Sequence, residues 1–236
     1  MNSDSTNSSS NDKHYTRKIR SFVLRQGRVT KAQKIALETL WPIFGIERAN
    51  TLLNFPQLFG NDAPITLEIG FGNGASLAEM AINAPKRNFV GIEVHPPGVG
   101  NLLRLIGDNQ LKNIRILNDD AVEIIQQRIA PKSLDRVQLY FPDPWHKKKH
   151  NKRRIVTAEF VNLLASRLQD NGVLHMATDW EHYALQMERV MLAAPTFKSS
   201  FESAFAPRPN YRPLTKFEQR GLKLGHSVWD LVFQKI

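Results

Sequence analysis

A single carboxylate bracketed by two prolines stands at Phe141-Pro142-Asp143-Pro144-Trp145-His146. Each proline fixes its own φ and restricts the residue before it, so Asp143 is held in a stiff loop. A carboxylate preorganised in this way can stabilise positive charge that develops beside it. Directly after it runs Lys147-Lys148-Lys149-His150-Asn151-Lys152-Arg153-Arg154, with six Lys or Arg in eight positions. Such a run is ordinarily a solvated loop. Beside a preorganised Asp and a Trp able to stack on a base, it reads as an RNA contact. His146 and His150 make a poor zinc set without further ligands. The chain has no cysteine, which excludes a disulfide scaffold, a Cys-ligated zinc site and a thiol nucleophile.

A second constellation is Leu67-Glu68-Ile69-Gly70-Phe71-Gly72-Asn73-Gly74-Ala75. Glycines at every second position let the backbone turn sharply and approach a ligand, and the helix that follows offers its N-terminus. The pattern fits the G-x-G-x-x-A dinucleotide fingerprint and equally the E-x-G-x-G-x-G loop of S-adenosylmethionine (SAM) methyltransferases. Glu93, at the end of a later apolar run, suits the hydroxyls of a nucleotide ribose in either cofactor. In Asn118-Asp119-Asp120-Ala121 one Asp is expected to cap a helix, and Asp120 is the choice for an adenine amino group in the methyltransferase alternative. Asp179, in Ala177-Thr178-Asp179-Trp180, suits a substrate group or a helix N-cap. Thr215-Lys216-Phe217-Glu218 has the spacing of a capping box at a helix start.

The elements that must position these residues alternate. Strands are predicted at 65–69, 89–94, 114–117, 134–141, 173–177 and 228–233. Helices are predicted at 31–41 (stopped by Pro42), 76–82, 99–106, 121–129, 158–168 (ending before Asn171-Gly172) and 181–192. This alternation predicts an α/β fold, a mostly parallel sheet with helices on both faces. Ligands in such sheets bind beyond the carboxyl ends of the strands, where the residues singled out above fall.

The chain has 236 residues and a formal net charge of +10, which suits a polyanionic partner. No apolar run approaches the roughly 18 residues of a membrane span. The Ser/Asn-rich start has no apolar core of a secretory signal. Residues 1–14 are expected to be a disordered tail and 15–60 a basic extension, in which Arg17, Lys18, Arg20, Arg25 and Arg28 interleave with apolar side chains. That extension either settles on nucleic acid or packs on the domain, which is expected to span 61–236. A cytoplasmic protein, monomeric or homodimeric, with no metal and no membrane contact, fits these features.

Residues 67–74, 141–154 and 212–221 together resemble the bacterial tRNA (guanine-N7-)-methyltransferases, and the resemblance runs from about Arg17 to the C-terminus. F-P-D-P-W with a basic tail and T-K-F-E near the end are not general methyltransferase features. The resemblance implies a Rossmann-like class I SAM-dependent methyltransferase sheet whose last strand is antiparallel. It implies that Glu68, Glu93, Asp120 and Asp143 line the SAM site, with Gly70, Gly72 and Gly74 forming its loop. Asp143 would also be the catalytic residue. Lys147, Asp179 and Thr215, Lys216, Phe217 and Glu218 would meet the substrate. Lys149, His150, Asn151, Lys152, Arg153 and Arg154 would touch tRNA, whose variable-loop guanosine 46 would be methylated. Trp145 or His146 would stack on the base. Three alternatives carry less of the sequence. An amino-group methyltransferase would want a second adjacent proline after Asp143. A nicotinamide-dependent oxidoreductase leaves the basic run unexplained. An inactive RNA-binding module has no need of acidic residues at all four strand ends.

Overall fold

Seven strands pair into one sheet in the order β3-β2-β1-β4-β5-β7-β6. They are β1 (Ile65–Ile69), β2 (Asn88–Ile92), β3 (Ile114–Leu117), β4 (Leu134–Tyr140), β5 (Leu168–Thr178), β6 (Phe197–Ser199) and β7 (Trp229–Lys235). The first five pair in parallel, and β7 runs antiparallel to both β5 and β6. This computed structural model describes residues 20–23, 27–225 and 227–236. The Ser/Asn-rich tail and Arg17, Lys18 and Arg25 of the basic extension lie outside the described residues.

Among the described residues, eight α-helices accompany the sheet: α1 (Lys31–Phe44), α2 (Phe55–Phe59), α3 (Ala75–Asn83), α4 (Pro96–Asp108), α5 (Ala121–Arg128), α6 (Ala158–Arg167), α7 (Glu181–Leu192) and α8 (Lys216–Lys223). Two apolar layers hold the three-layer stack. On one face Ile125, Phe160, Leu164 and Met187 from α5, α6 and α7 bury against Leu67, Val137, Leu174 and Phe233. On the other, Leu77, Met80, Leu102 and Ile106 from α3 and α4 bury against Phe89, Ile114 and Ile116. Alternation along the strands sends Thr66, Glu68, Gln138 and His175 towards this second face, and all four are buried. The sheet is therefore largely apolar on one side and polar at its centre on the other.

Several boundaries differ from the sequence reading. Pro42 does not stop α1; it lies in the last turn, where the missing N–H costs one bond, and Gly45 N–H still bonds Trp41 O at 2.7 Å. Pro96 and Pro97 open α4, where their N–H groups would have no helical partner. Asn171-Gly172 ends no helix. Asn171 takes φ 66° inside β5, which begins at Leu168 and shifts register against β4 there. The short α2 and β6 lacked a readable period. Residues 27–60 pack on the domain: Gln33 Nε2 donates to Pro97 O at 3.1 Å, and Ile46 N–H bonds Ile116 O at 2.8 Å along the edge of β3.

Close packing of the Gly-rich turn on α4 yields a first test. A Cβ at Gly98 would lie 2.1 Å from Gly72 O, a backbone atom. Gly98→Ala should lower the stability measured by urea unfolding by about 1–3 kcal/mol, the usual cost of overpacking.

Candidate active site

The turn after β1 threads Gly70, Gly72 and Gly74 through positive φ, at 71°, 58° and 75°, before α3 begins. Side chains are strained there, and at Gly74 a Cβ would also lie 2.6 Å from the Leu102 side chain. The turn is tied to β2 by Glu93. Its Oε2 accepts Gly72 N–H at 2.8 Å, and its Oε1 accepts Val94 N–H at 2.7 Å and His95 N–H at 3.0 Å. After β3, the cap of α5 is Asp120, whose Oδ1 accepts Val122 N–H at 2.9 Å. Asp119 pairs instead with Arg48 at 2.8 Å. The expectation that Asp120 would be left for a ligand and its neighbour would cap is thus reversed for the cap, although both still wall the same cavity.

Two cavities flank the turn. The smaller, about 190 Å³, is walled by Gly70, Glu93, Asp119, Asp120 and Asp143. The larger, about 670 Å³, is walled by Glu68, Gly72, Asn73, Pro213 and Thr215. Gly70, Tyr140 and Phe141 border both. Glu68 is buried at the floor of the larger one, and its Oε2 has no hydrogen-bond partner. Burial and the nearby Glu93 carboxylate push its carboxyl up to about 8.

The proline-bracketed loop is strained at both ends. Phe141 has φ 50° and Trp145 φ 47°, conformations that cost a bulky residue of order 1–3 kcal/mol each. Its surroundings hold it there. Phe141 N–H bonds Ala177 O at 2.8 Å, and Trp145 Nε1 donates to Ser21 O at 3.1 Å. Arg153 stacks on the indole at 4.8 Å. Arg154 Nε donates to Pro144 O at 2.8 Å, and its Nη1 reaches Gln186 at 2.6 Å and His182 at 2.9 Å. Asp143 itself is exposed and makes no hydrogen bond or ion pair among the described residues. The result is a fixed backbone presenting a free carboxylate to the smaller cavity.

Comparison with known proteins agrees with this geometry. Residues 62–231 match the family model described as "Putative methyltransferase". The chain is 60% identical over 220 residues to the tRNA (guanine-N(7)-)-methyltransferase of Alcanivorax borkumensis, covering 93% of this chain and 92% of that protein. It is 55% identical over 231 residues to the enzyme of the same name from Psychromonas ingrahamii, covering 98% and 95%. The chain belongs to the tRNA (guanine-N7-)-methyltransferase family. Its methyl donor is SAM, and its sheet is that of the class I SAM methyltransferases. The 16S rRNA methyltransferase KamB shares the fold, with a TM-score of 0.58 at 13% identity over 81% of this chain and 98% of that one. A rRNA methylase from Streptococcus thermophilus does so at 0.51 and 12%, covering 89% and 99%.

In this methyltransferase the donor set would suit SAM: the carboxylates of Glu93 and Asp120 stand at the ends of β2 and β3, and Glu68 leaves a carboxyl oxygen unpartnered at the wall of the larger cavity. The residues expected to meet substrate and RNA separate into two groups. Lys147, Lys149 and Lys152 are exposed, and Lys148–Arg153 winds into a 3-10 helix rather than a loop. His150 is half-buried, and partial burial and the cations around it lower its pKa. Asn151 is also half-buried, with its Oδ1 lacking a partner. Asp179 is half-buried and is not the N-cap of α7, a place Trp180 takes. Thr215 walls the larger cavity and caps α8, its Oγ1 accepting Glu218 N–H at 3.1 Å. The side chains of Lys216 and Phe217 lie outside what is described.

Three of these side chains are engaged within the protein. Arg154 is only 2% exposed and its guanidinium is engaged within the protein, so it buttresses the loop instead of touching RNA. Trp145 has Arg153 over its indole and donates from Nε1 to Ser21 O, so it anchors the N-terminal segment. Glu218 is 3% exposed, and both its oxygens accept from Arg212 at 2.7 Å. No sequence signal separated Arg154 from its neighbours except the apolar Ile155-Val156 that follows. Tyr140, which borders both cavities, was read only as strand.

The raised carboxyl of Glu68 yields a pH test. It binds its proton more tightly folded than unfolded, so stability is lost as pH rises from about 4.5 towards about 8. Glu68→Gln should remove that part of the decline in the unfolding midpoint of the cofactor-free protein, measured in urea from pH 5 to pH 9.

Proposed function

We propose that this protein transfers the methyl group of SAM to N7 of guanine in tRNA, at the variable-loop guanosine 46. The observation that carries the reading is the free Asp143 carboxylate on a rigid loop, opening on the cavity walled by Glu93 and the Gly-rich turn. The relatives' names supply the base and the RNA.

When bound, SAM supplies an electrophilic methyl carbon on a sulfonium sulfur. Glu93 receives the ribose hydroxyls, held in place by its three backbone N–H partners. Asp120 receives the adenine amino group on the oxygen not used for capping. Glu68 faces the amino-acid portion. Guanine N7 has an in-plane lone pair and no proton, so it would form the new N–C bond as the C–S electron pair returned to sulfur, and no base would be needed to deprotonate the nucleophile. Positive charge arrives on the purine. Asp143 stabilises it and accepts hydrogen bonds from the guanine N1–H and amino group. Asp179, Lys147 and the 215–217 segment orient the base, and Lys149 and Lys152 meet phosphates. Tertiary pairing in tRNA engages N7 of this guanosine, so local opening that costs a few kcal/mol precedes transfer. The cytoplasm is where such a substrate is found.

Single-turnover methylation at saturating SAM and tRNA should slow about a hundredfold in Asp143→Asn, roughly 2.7 kcal/mol of barrier, with much less change in tRNA binding. Mapping the methylated base should give guanosine 46, and a transcript with adenosine there should not react. Near-wild-type turnover in the variant would make the charge dispensable; tRNA binding with no methylation by the wild-type protein would mean a binding module.

Lys149→Ala combined with Lys152→Ala should leave SAM affinity unchanged. The log–log salt dependence of tRNA binding should fall by up to about 0.7–0.9 for each phosphate no longer neutralised. An unchanged slope would mark these lysines as merely solvated.

A further inference from the structure

The polar half of the sheet carries a buried chain of charges and rings that methyl transfer itself does not use. Arg212, 1% exposed, donates from Nη1 to Glu218 Oε2 and from Nη2 to Glu218 Oε1, both at 2.7 Å, and from Nη2 to Asp230 Oδ2 at 2.9 Å. Asp230 Oδ1 lies 2.7 Å from His175 Nε2, and His175 Nδ1 lies 3.0 Å from the Tyr140 hydroxyl. Burial would raise the Asp230 carboxyl, but His175 and Arg212 hold it below its usual value. Burial keeps His175 low, and burial pushes the Tyr140 hydroxyl well up. One protonation pattern satisfies the chain: Tyr140 O–H donates to neutral His175, whose Nε2–H donates to charged Asp230. The chain runs from the 212–218 segment to the end of β4, directly before the Asp143 loop.

We propose that Arg212 is a positioning residue for the reaction, and that Glu218 serves tRNA binding through it rather than by touching guanine. Each Glu218 oxygen already accepts a guanidinium N–H in a bidentate pair, and the side chain is buried. The residues between the two partners, Pro213, Leu214 and Thr215, wall the larger cavity. Pinning both ends of that short stretch, with Asp230 as the anchor in β7, fixes Thr215 at the cavity wall. Burying ion pairs is a poor way to gain stability alone, since apolar groups of the same shape do as well or better. Their use here fits a demand for one fixed geometry.

This inference rests on the reading of the site as a tRNA guanine methyltransferase, and its test separates the two. Glu218→Gln and Arg212→Met are made singly and together, and SAM affinity and the KM and kcat for tRNA are measured. Glu218→Gln should lower kcat/KM for tRNA about tenfold or more, the range for a lost charged hydrogen bond. The KM for tRNA should rise, and SAM affinity should hold. Loss of stability alone would reduce the active fraction, and so kcat, without moving that KM. In the Arg212→Met background Glu218→Gln should add nothing further. If the two losses multiply, or the KM does not move, Glu218 does not act through Arg212. Hydrogen exchange in Glu218→Gln decides the matter without activity and without the Arg212 variant. Amides 214–219 should exchange about tenfold faster than in the wild type, and unchanged rates would overturn the clamp. Failure of the wild-type protein to methylate tRNA would overturn the functional reading and leave this exchange result to stand or fall separately.

Discussion

The strand order turns back on itself between β1 and β4, so the chains leaving these neighbouring strands must depart in different directions. That divergence opens a crevice at the carboxyl ends of the strands, and the candidate site is built on its lips. The Gly-rich turn leaves β1 on one side, and the proline-bracketed loop leaves β4 on the other. Glu93 closes the first lip by accepting N–H groups from both the turn and its own strand end. Arg154 and Trp145 close the second by binding the backbone of the loop and of the N-terminal segment. Neither lip is shaped by hydrophobic packing alone. Each is held by hydrogen bonds to backbone atoms, which fix direction more sharply than apolar contact does.

Of the carboxylates around this crevice, four are treated each in a different way. Glu93 is satisfied by three backbone donors, and Asp120 by a helix end. Glu68 is buried beside Glu93 with an oxygen unpartnered, and its proton is retained to about 8. Asp143 is exposed and unpaired, which a carboxylate in bulk water tolerates. The strain at Phe141 and Trp145 shows that its position is imposed by the surroundings. Under the proposed reaction Glu68 would face the cofactor, able to give up its proton when a cation arrives, and Asp143 would face the base that acquires charge. Differences of environment, not of residue type, divide the labour.

Much of this arrangement was legible before any coordinates. Short apolar runs alternating with amphipathic ones defined the parallel sheet. The glycine spacing located the first lip, and the prolines located the second. What stayed hidden depended on partners distant in sequence. Asp119 and Asp120 are chemically alike, and in the fold Asp120 caps α5 while Asp119 pairs with Arg48, far upstream. Thr215 and Glu218 have the spacing of a capping box, and half of it forms. Glu218 turns away because Arg212 and Asp230 are buried within reach. Asn171-Gly172 looks like a helix stop in local terms, but pairing with β4 draws the residues before it into β5 and uses the left-handed Asn171 for a register shift.

The basic run shows the same limit and adds a distinction between its two cation types. As a string it is one patch of charge. In the fold the lysines 147, 149 and 152 remain exposed, while Arg153 and Arg154 turn inward. The difference follows from the side chains. A guanidinium is planar, weakly hydrated and forked, so it can stack on Trp145 or bond the Pro144 carbonyl and Gln186 together, as the two arginines do here. An ammonium is compact and strongly hydrated, and burying it gains little. Lysines are thus left at the surface as solvated charges, suited to a phosphate backbone that requires charge but little geometry. The arginines commit their geometry to the loop that carries Asp143. Under the proposed function, RNA attraction and alignment of the Asp143 loop would be set side by side in one short segment, with the boundary between them drawn by residue chemistry rather than by position.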